Sequence, residues 1–426
     1  MTRLDQGGLT LRQLGPTVYL PSAVYSTGFG AVAPVVVLSA TGLGASPAVA
    51  ALVAGLVGVG QIGGGLPAGV LVDRFGEQRT MLAAAGLGLP ALIACMLVRD
   101  VRLLAVAVFL LGITGAAWGL ARHAYLTEAV RPELRARAMS TLGGVGRVGT
   151  FAGPFLGAPV VHVLGVSGAY LVAAVAVAVA ATLVALLPPV PHDRPHASTP
   201  GHPGLWSVLR ENARTLRTLG SAILLVGALR AARQTILPLW GVGLGLSPAT
   251  IGIIYGISGG VDMLLFYPAG RLMDRHGRKW AAVPAMALLG LAHALLPLAG
   301  GAAGLTVIGL IMGVGNGLSA GLVMTIGADV SPAAGRARFL GAWRMCSDLG
   351  NGGGPLLIGA VTAAASLTAA AVTVAGAGAL AAVLLGRWVP SGWASRSSRQ
   401  HRDHRDSQPE PGVGAAPGRH GGTEPG

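Results

Sequence analysis

The chain has 426 residues, of which 52% are hydrophobic and only 11% are charged, and its mean hydropathy is +0.65. Soluble globular chains carry about 25% charged residues, so this composition excludes an ordinary soluble protein and indicates an integral membrane protein. The net charge of +14 does not indicate nucleic-acid binding, because the basic residues are concentrated in the connections on one side of the apolar segments.

Apolar segments of the ~20 residues needed to cross a bilayer recur along the chain and predict twelve transmembrane helices. Their predicted ranges are 16–40, 47–71, 79–98, 102–126, 138–163, 166–188, 219–243, 248–271, 279–299, 303–327, 337–361 and 366–388. The segments are too long and too evenly apolar for barrel strands, so the predicted fold class is all-α.

The asymmetry of basic residues predicts a multi-pass protein of the plasma membrane with both termini in the cytoplasm. The predicted organisation is a cytoplasmic N-terminus at 1–15, a six-helix half at 16–188, a cytoplasmic linker at 189–218, a second six-helix half at 219–388 and a disordered cytoplasmic tail at 389–426. In the second part of the linker, leucines oppose arginines, which predicts an amphipathic helix on the membrane surface.

The two halves repeat each other in sequence. Asp73 and Asp274 are 201 residues apart, and the same offset relates Pro67 to Pro268 and many glycines and arginines as far as Pro154 and Pro355. A constant register over this length predicts two six-helix pseudo-repeats in parallel orientation.

The segments "GVLVDRFGEQR" (69–79) and "GRLMDRHGRK" (270–279) resemble the signature of the major facilitator superfamily between helices 2 and 3 and its counterpart between helices 8 and 9. The resemblance implies the major facilitator fold and a conformational latch that stabilises the outward-facing state. Its residues would be Gly69, Asp73, Arg74, Gly76, Arg79, Glu128, Gly270, Asp274, Arg275 and Gly277.

The first copy of this turn has Glu77 and Gln78 where the family usually places basic residues, which leaves the partner of Glu128 open. An alternative is that the charges only keep a short loop in water and set the topology.

The stretch "GTFAGPFLGA" (149–158) in predicted helix 5 resembles the antiporter signature of the drug-efflux branches, with Gly149, Gly153, Pro154 and Gly157 in place. This resemblance favours export. The glycine face also suits close packing at the interface between the halves, and packing alone explains the same residues.

Ionisable groups at membrane depth are costly and are therefore candidates for function. The candidates for substrate or proton binding are Asp262, Arg230, Arg233, Arg147, Arg344, Asp348 and Asn316. Arg230 and Arg233 share one face of predicted helix 7, and Asp262 reaches a comparable depth in helix 8. A structural ion pair between them is the alternative to a functional role. The excess of basic groups favours an anionic or zwitterionic solute.

These observations predict a secondary active transporter that exports a drug-like or anionic metabolite by alternating access, with protons as the coupling ion. An importer of organic anions is the alternative within the class, and a non-transporting receptor or a membrane-embedded enzyme is the alternative outside it. The expected partners are a small-molecule substrate, protons and the lipid bilayer. No catalytic residues, metal or cofactor are predicted, and a monomer is expected although the sequence does not set the oligomeric state.

Overall fold

The computed structural model describes residues 14–130, 132–186, 205–332 and 335–390. The helices of the first half are α1 (Leu20–Val32), α2 (Val35–Gly42), α3 (Pro47–Phe75), α4 (Glu77–Leu97), α5 (Val101–Ala129), α6 (Pro132–Leu164) and α7 (Ser167–Ala185). Those that follow are α8 (Leu205–Glu211), α9 (Ala213–Gly243), α10 (Pro248–His276), α11 (Lys279–Leu295), α12 (Gly301–Leu318), α13 (Leu322–Val330), α14 (Arg336–Ala364) and α15 (Leu367–Trp388). A π-helical turn at Gly15–Tyr19 precedes α1, and a 3₁₀ turn at Leu296–Leu298 follows α11.

The all-α fold class and the twelve spans are confirmed, with two interruptions. The first span consists of α1 and α2, which meet at Pro34, and the tenth consists of α12 and α13, which are separated by a turn where Gly321 has φ +76°. Within the described ranges, ten helical segments are long and apolar enough to cross a membrane. The remaining two spans are α6 and α14, whose 33 and 29 residues are also long enough to do so.

The linker lies partly outside the described ranges, as do residues 1–13 and 391–426, so the predicted N-terminus, most of the tail and the Pro- and His-rich part of the linker are not described. The predicted amphipathic helix is divided. Its first part is α8, whereas residues from Ala213 onward begin α9, which continues into the membrane-spanning segment.

Matching caps in the two halves explain why corresponding helices begin and end at equivalent residues. Ser46 accepts a hydrogen bond from the Val49 amide at 3.3 Å, and Ser247 accepts one from the Thr250 amide at 3.2 Å, each directly before a proline that begins a helix. At the other end of these helices, Gly76 and Gly277 have φ of +83° and +98°, a conformation that side chains other than glycine rarely adopt. The repeated glycine of the turn is therefore required by backbone geometry.

Within each half, one glycine-bearing helix packs closely along another. Gly149 and Gly153 of α6 lie against the backbone of α1 at Ala23 and Thr27, and Gly350 and Gly354 of α14 lie against α9 in the same way. Because a Cβ on any of these glycines would meet a backbone carbonyl, the helices approach only where the side chain is absent.

The halves meet along two seams, α3 with α14 and α6 with α10. In the first seam Leu356 packs on Gly55 and Gly58 contacts Gly352, and in the second Phe155 packs on Gly256. We call the side of the molecule that carries the Gly76 and Gly277 turns the proximal side and the other the distal side. All these contacts lie in the distal and middle parts of the helices.

Toward the proximal side the same helix faces no longer touch. Leu66 and Val70 continue the α3 face that carries Gly55 and Gly58, yet they are 85% and 65% exposed. Tyr267 continues the α10 face toward α6 and is 65% exposed. The halves are thus closed against each other distally and separated proximally.

Candidate functional site

An ion pair links the two halves near the middle of the helices. Arg147 of α6 donates from a terminal guanidinium nitrogen to Asp262 Oδ1 of α10 at 2.7 Å. The exposed fractions of the two side chains are 20% and 17%, so the pair is largely shielded from solvent. Any motion that separates α6 from α10 must break this charge-assisted hydrogen bond.

A second chain of contacts reaches Asp262 from within its own half. Asn316 of α12 donates from Nδ2 to Asp262 Oδ2 at 2.6 Å, and its Oδ1 accepts from Arg230 Nε at 3.1 Å. An amide is both donor and acceptor, so Asn316 connects a carboxylate to a guanidinium without contributing charge. Arg230, Asn316, Asp262 and Arg147 therefore form one hydrogen-bonded chain that crosses from half to half.

Arg233 completes the cluster. Its terminal nitrogen lies 3.9 Å from Asp262 Oδ2, and only 4% of the residue is exposed. Aromatic rings stabilise the guanidiniums, with Arg233 over Tyr255 at 5.7 Å and Arg147 over Phe266 at 4.8 Å. Three arginines thus share one carboxylate, which leaves a formal excess of two positive charges in this cluster.

The main partner of Asp262 is not one of the two arginines that share a face of α9. An ion pair with Arg230 or Arg233 was the structural alternative in the sequence analysis, but Arg230 reaches Asp262 only through Asn316 and Arg233 is at the limit of an ion pair. The shortest contact belongs to Arg147, which the 201-residue repeat could not indicate because α6 and α10 are not equivalent helices.

A cavity of about 320 Å³ lies between the halves. Its walls are mainly apolar, with polar side chains from both halves. The polar lining residues are Tyr25, Gln61, Thr114, Arg230, Gln234, Thr235 and Asn351. Arg230 belongs to both the cavity wall and the hydrogen-bonded chain, so it connects the cavity to Asp262. Gln234 and Tyr25 were not predicted, since uncharged residues stand out little in the sequence.

Two predicted candidates stay apart from the hydrogen-bonded chain. Arg344 and Asp348 lie one turn apart on α14 and face each other at 3.7 Å, with exposed side-chain fractions of 56% and 38%. A pair this exposed contributes little to stability.

All six charged residues of the predicted latch are solvent-exposed in this conformation. The exposed members are Asp73, Arg74, Arg79, Glu128, Asp274 and Arg275. Arg74 lies over the Phe75 ring at 5.4 Å. Gly69 touches only Leu120, at 4.0 Å from its would-be Cβ, and Gly270 has nothing within 4 Å. Because the halves are separated on the proximal side, the exposure of Asp73 is consistent with a contact that forms only in another state.

The prediction omitted the residue that holds the second copy of the turn together. Arg278 is 5% exposed, and it donates from Nε to Asp329 at 3.0 Å and from Nη1 to the Met273 carbonyl at 2.8 Å. Its Nη1 also lies 3.3 Å from Asp274. The repeat offset aligns Arg278 with Glu77, which is 4% exposed. The two turns therefore have the same backbone conformation but carry opposite charges at this buried position.

The glycines of the predicted helix 5 motif, which belong to α6, pack against a different helix from the one expected. Gly149 and Gly153 pack against α1 of the same half, and Gly157 faces Ala31 of α1. The prediction that this glycine face forms the interface between the halves is wrong. Other residues of α6, Phe151 and Phe155, contact α10 instead, because bulky side chains fill a gap that the glycine face cannot span.

Comparison with known proteins agrees with this architecture. The sequence matches the Major Facilitator Superfamily in two overlapping segments, residues 18–266 and 219–417. A comparison with curated protein sequences gave no match.

Several solved structures resemble the chain at low sequence identity. A mutant form of the nucleoside transporter NupG has a TM-score of 0.70 at 15% identity, covering 87% of this chain and 98% of its own. The human organic anion transporter MFSD10 (TETRAN) has a TM-score of 0.64 at 17% identity, covering 88% and 99%. A POT family transporter in complex with 5-aminolevulinic acid has a TM-score of 0.69 at 13% identity, covering 89% and 96%.

These identities establish the fold alone, whereas the family match covers both halves. With twelve spans in two repeats, the chain belongs to the Major Facilitator Superfamily and is a membrane transporter rather than an enzyme.

Proposed function

We propose that this protein is a secondary active transporter of a small organic anion, that it works by alternating access, and that protons drive it through Asp262. The observation that carries the proposal is the cluster of Arg147, Arg230 and Arg233 around one carboxylate beside the central cavity. Uncompensated guanidiniums at membrane depth are costly, and an anionic solute would reduce that cost.

The cavity supports a particular orientation of the solute. Arg230 is the arginine of the cluster that lines the cavity, so it is the proposed anchor for a carboxylate. The wall formed by the first half is largely apolar, with Phe29, Val57 and Leu111 among its residues, and suits an apolar body. A volume of about 320 Å³ is at the small end of the range for ligand pockets, which favours a compact solute.

Proton coupling follows from the position of Asp262 between the halves. Its ionised form holds Arg147 and therefore favours distal closure. Protonation removes that attraction and lets α6 and α10 part, while the released guanidinium becomes available to an anion. Asn316 transmits the change to Arg230, because a protonated Asp262 no longer requires the amide as a donor.

A different argument favours each direction of transport. Export rests on the resemblance of the helix 5 glycine motif to efflux proteins, although the same packing recurs at Gly350 and Gly354 in the second half. Uptake rests on the coupling proposed above, in which protonation of Asp262 frees Arg147 for an anion, so that the anion and the proton move in the same direction. MFSD10, a structural neighbour, is named an organic anion transporter.

The latch stays a proposal for the opposite state. If the proximal side is cytoplasmic, as the basic residues predict, the structure is inward-facing, and Asp73 would meet α14 only when the proximal gap closes. Arg278 and its carboxylate partners would keep the second turn rigid through that motion.

The substrate class is tested by thermal stabilisation of the purified protein with aromatic and aliphatic monocarboxylates, their neutral amides and amphipathic cations. We expect carboxylates to raise the unfolding temperature more than the matched amides, and Arg230→Ala to remove that difference. Arg344→Ala is the control, because Arg344 lies outside the hydrogen-bonded chain. Stabilisation by cations alone, or an unchanged carboxylate effect in Arg230→Ala, would contradict the proposal.

A further inference from the structure

A second, much smaller cavity lies inside the first half, between α1, α4, α5 and α7. Trp118, Arg122 and Tyr125 of α5 line it from one helix face, since they are spaced four and three residues apart. Its volume is about 10 Å³, which leaves room for a single small occupant.

The three α5 residues bring hydrogen-bond donors that have no acceptor. Trp118 Nε1, Arg122 Nε and the Tyr125 hydroxyl are inaccessible to solvent and make no hydrogen bond among the described residues. Trp118 and Tyr125 are only 1% and 2% exposed. Leaving one such group unpaired costs roughly 1–3 kcal/mol, so three around one cavity indicate a missing partner.

The number of donors around this small cavity favours an occupant that accepts several hydrogen bonds at once. An indole N–H and a guanidinium N–H can only donate, and a water molecule has two lone pairs for three donors. Ser22, a hydroxyl of α1 on the cavity wall, uses its hydrogen to donate to the Val18 carbonyl at 2.6 Å, so it supplies the cavity with an acceptor and no further donor. A monatomic anion accepts from all three donors at once.

The charges near the cavity are two guanidiniums and one carboxylate. Arg122 makes no ion pair within the described ranges, and the guanidinium of Arg344 from the other half lies within electrostatic range of it. Glu77 lies within electrostatic range of Tyr125 but does not line the cavity. A buried guanidinium beside a second positive charge needs a counter-ion.

We propose that this cavity is a halide site in which Trp118, Arg122 and Tyr125 bind one chloride ion. The proposal does not depend on which solute the central cavity carries. The Tyr25 ring stacks on Trp118 with centroids 4.3 Å apart and also lines the central cavity, so a bound chloride fixes part of that wall.

The test is thermal unfolding of the full-length protein in detergent, titrated with sodium chloride, sodium bromide or sodium gluconate at constant ionic strength. We expect saturable stabilisation by chloride and bromide and none by gluconate, which exceeds the cavity. The double variant Trp118→Phe with Tyr125→Phe should weaken halide affinity roughly tenfold or more, because two donors to an anion are lost.

The matched control is Trp240→Phe with Tyr267→Phe, which changes the same residue types outside this cavity and should keep the halide response. A response that is identical in gluconate, or that persists in the Trp118 and Tyr125 variant at full affinity, overturns the proposal. If that variant does not fold, the comparison of halide with gluconate on the unaltered protein still decides, and anomalous diffraction from bromide locates the ion.

Discussion

Replacing Asp262 by asparagine tests the ion pair between the halves. Asparagine keeps the shape and still accepts from Arg147, so the change converts a charge-assisted hydrogen bond of 2.7 Å into a neutral one. Hydrogen bonds to charged groups contribute about 1.5–3 kcal/mol and neutral ones about 0.5–1.5 kcal/mol, so distal closure should lose about 1–1.5 kcal/mol. The ratio of distally open to distally closed molecules should rise roughly five- to tenfold.

The assay is the labelling rate of a single cysteine in the central cavity by an impermeant maleimide added on the distal side. Ala54→Cys lines the cavity and changes little volume, and it is placed in a background with Cys95→Ala and Cys346→Ala. Asp262→Asn should accelerate labelling by the same factor.

The control is Asp348→Asn, because the ion pair of Asp348 with Arg344 stays within one helix. Labelling of the control should match that of the unaltered chain. Equal labelling rates in Asp262→Asn and Asp348→Asn would refute the argument that the Arg147 contact holds the distal side closed.

Three further predictions concern the turns and the glycine face. Asp73→Asn should favour the proximally open state by about 0.3–2 kcal/mol and lower transport at normal expression, whereas unchanged flux and cysteine labelling would count against the latch. Gly153→Leu should abolish transport or make it leak protons, because the new side chain would meet the α1 backbone. Gly143→Leu is the control and should be tolerated, because nothing lies within 4 Å of a Cβ at Gly143. Equal flux in the two variants would mean that the glycine motif has no role in transport. Arg278→Gln should lower the free energy of unfolding by about 1.5–3 kcal/mol, because it removes the ion pairs of Arg278. Thermal unfolding measures this loss, and Arg275→Gln is the control that should lose much less. Equal losses in the two variants would mean that the Arg278 ion pairs do not stabilise the turn.

The helical fold could be predicted closely because bilayer thickness sets helix length and the repeat sets the division into halves. The second predicted span starts at residue 47, where α3 begins, and the last predicted span ends at residue 388, where α15 ends. The break before Leu322 was missed, because a glycine inside an apolar run has no distinct signal when glycines are frequent throughout.

The site was predicted only in part. Charge in an apolar context identified Asp262, Arg147 and Asn316, but which side chains meet depends on the packing of α6 against α10, which no local pattern encodes. From the glycine motif in predicted helix 5 we predicted a close helix–helix contact, but with the other half instead of α1. A glycine face indicates that two helices approach closely and does not indicate which helix is the partner. Arg278 was overlooked because sequence alone does not distinguish a buried arginine from a loop arginine.

The central claim is that Asp262 couples proton movement to anion movement. Its most direct test is accumulation of the most strongly stabilising monocarboxylate in proteoliposomes, with and without an imposed pH gradient, for the unaltered chain and Asp262→Asn. The account predicts that a pH gradient drives accumulation only in the unaltered chain, while Asp262→Asn still exchanges the anion down its concentration gradient. Accumulation against the gradient by Asp262→Asn would contradict the coupling role and leave the Arg147 contact as a structural ion pair.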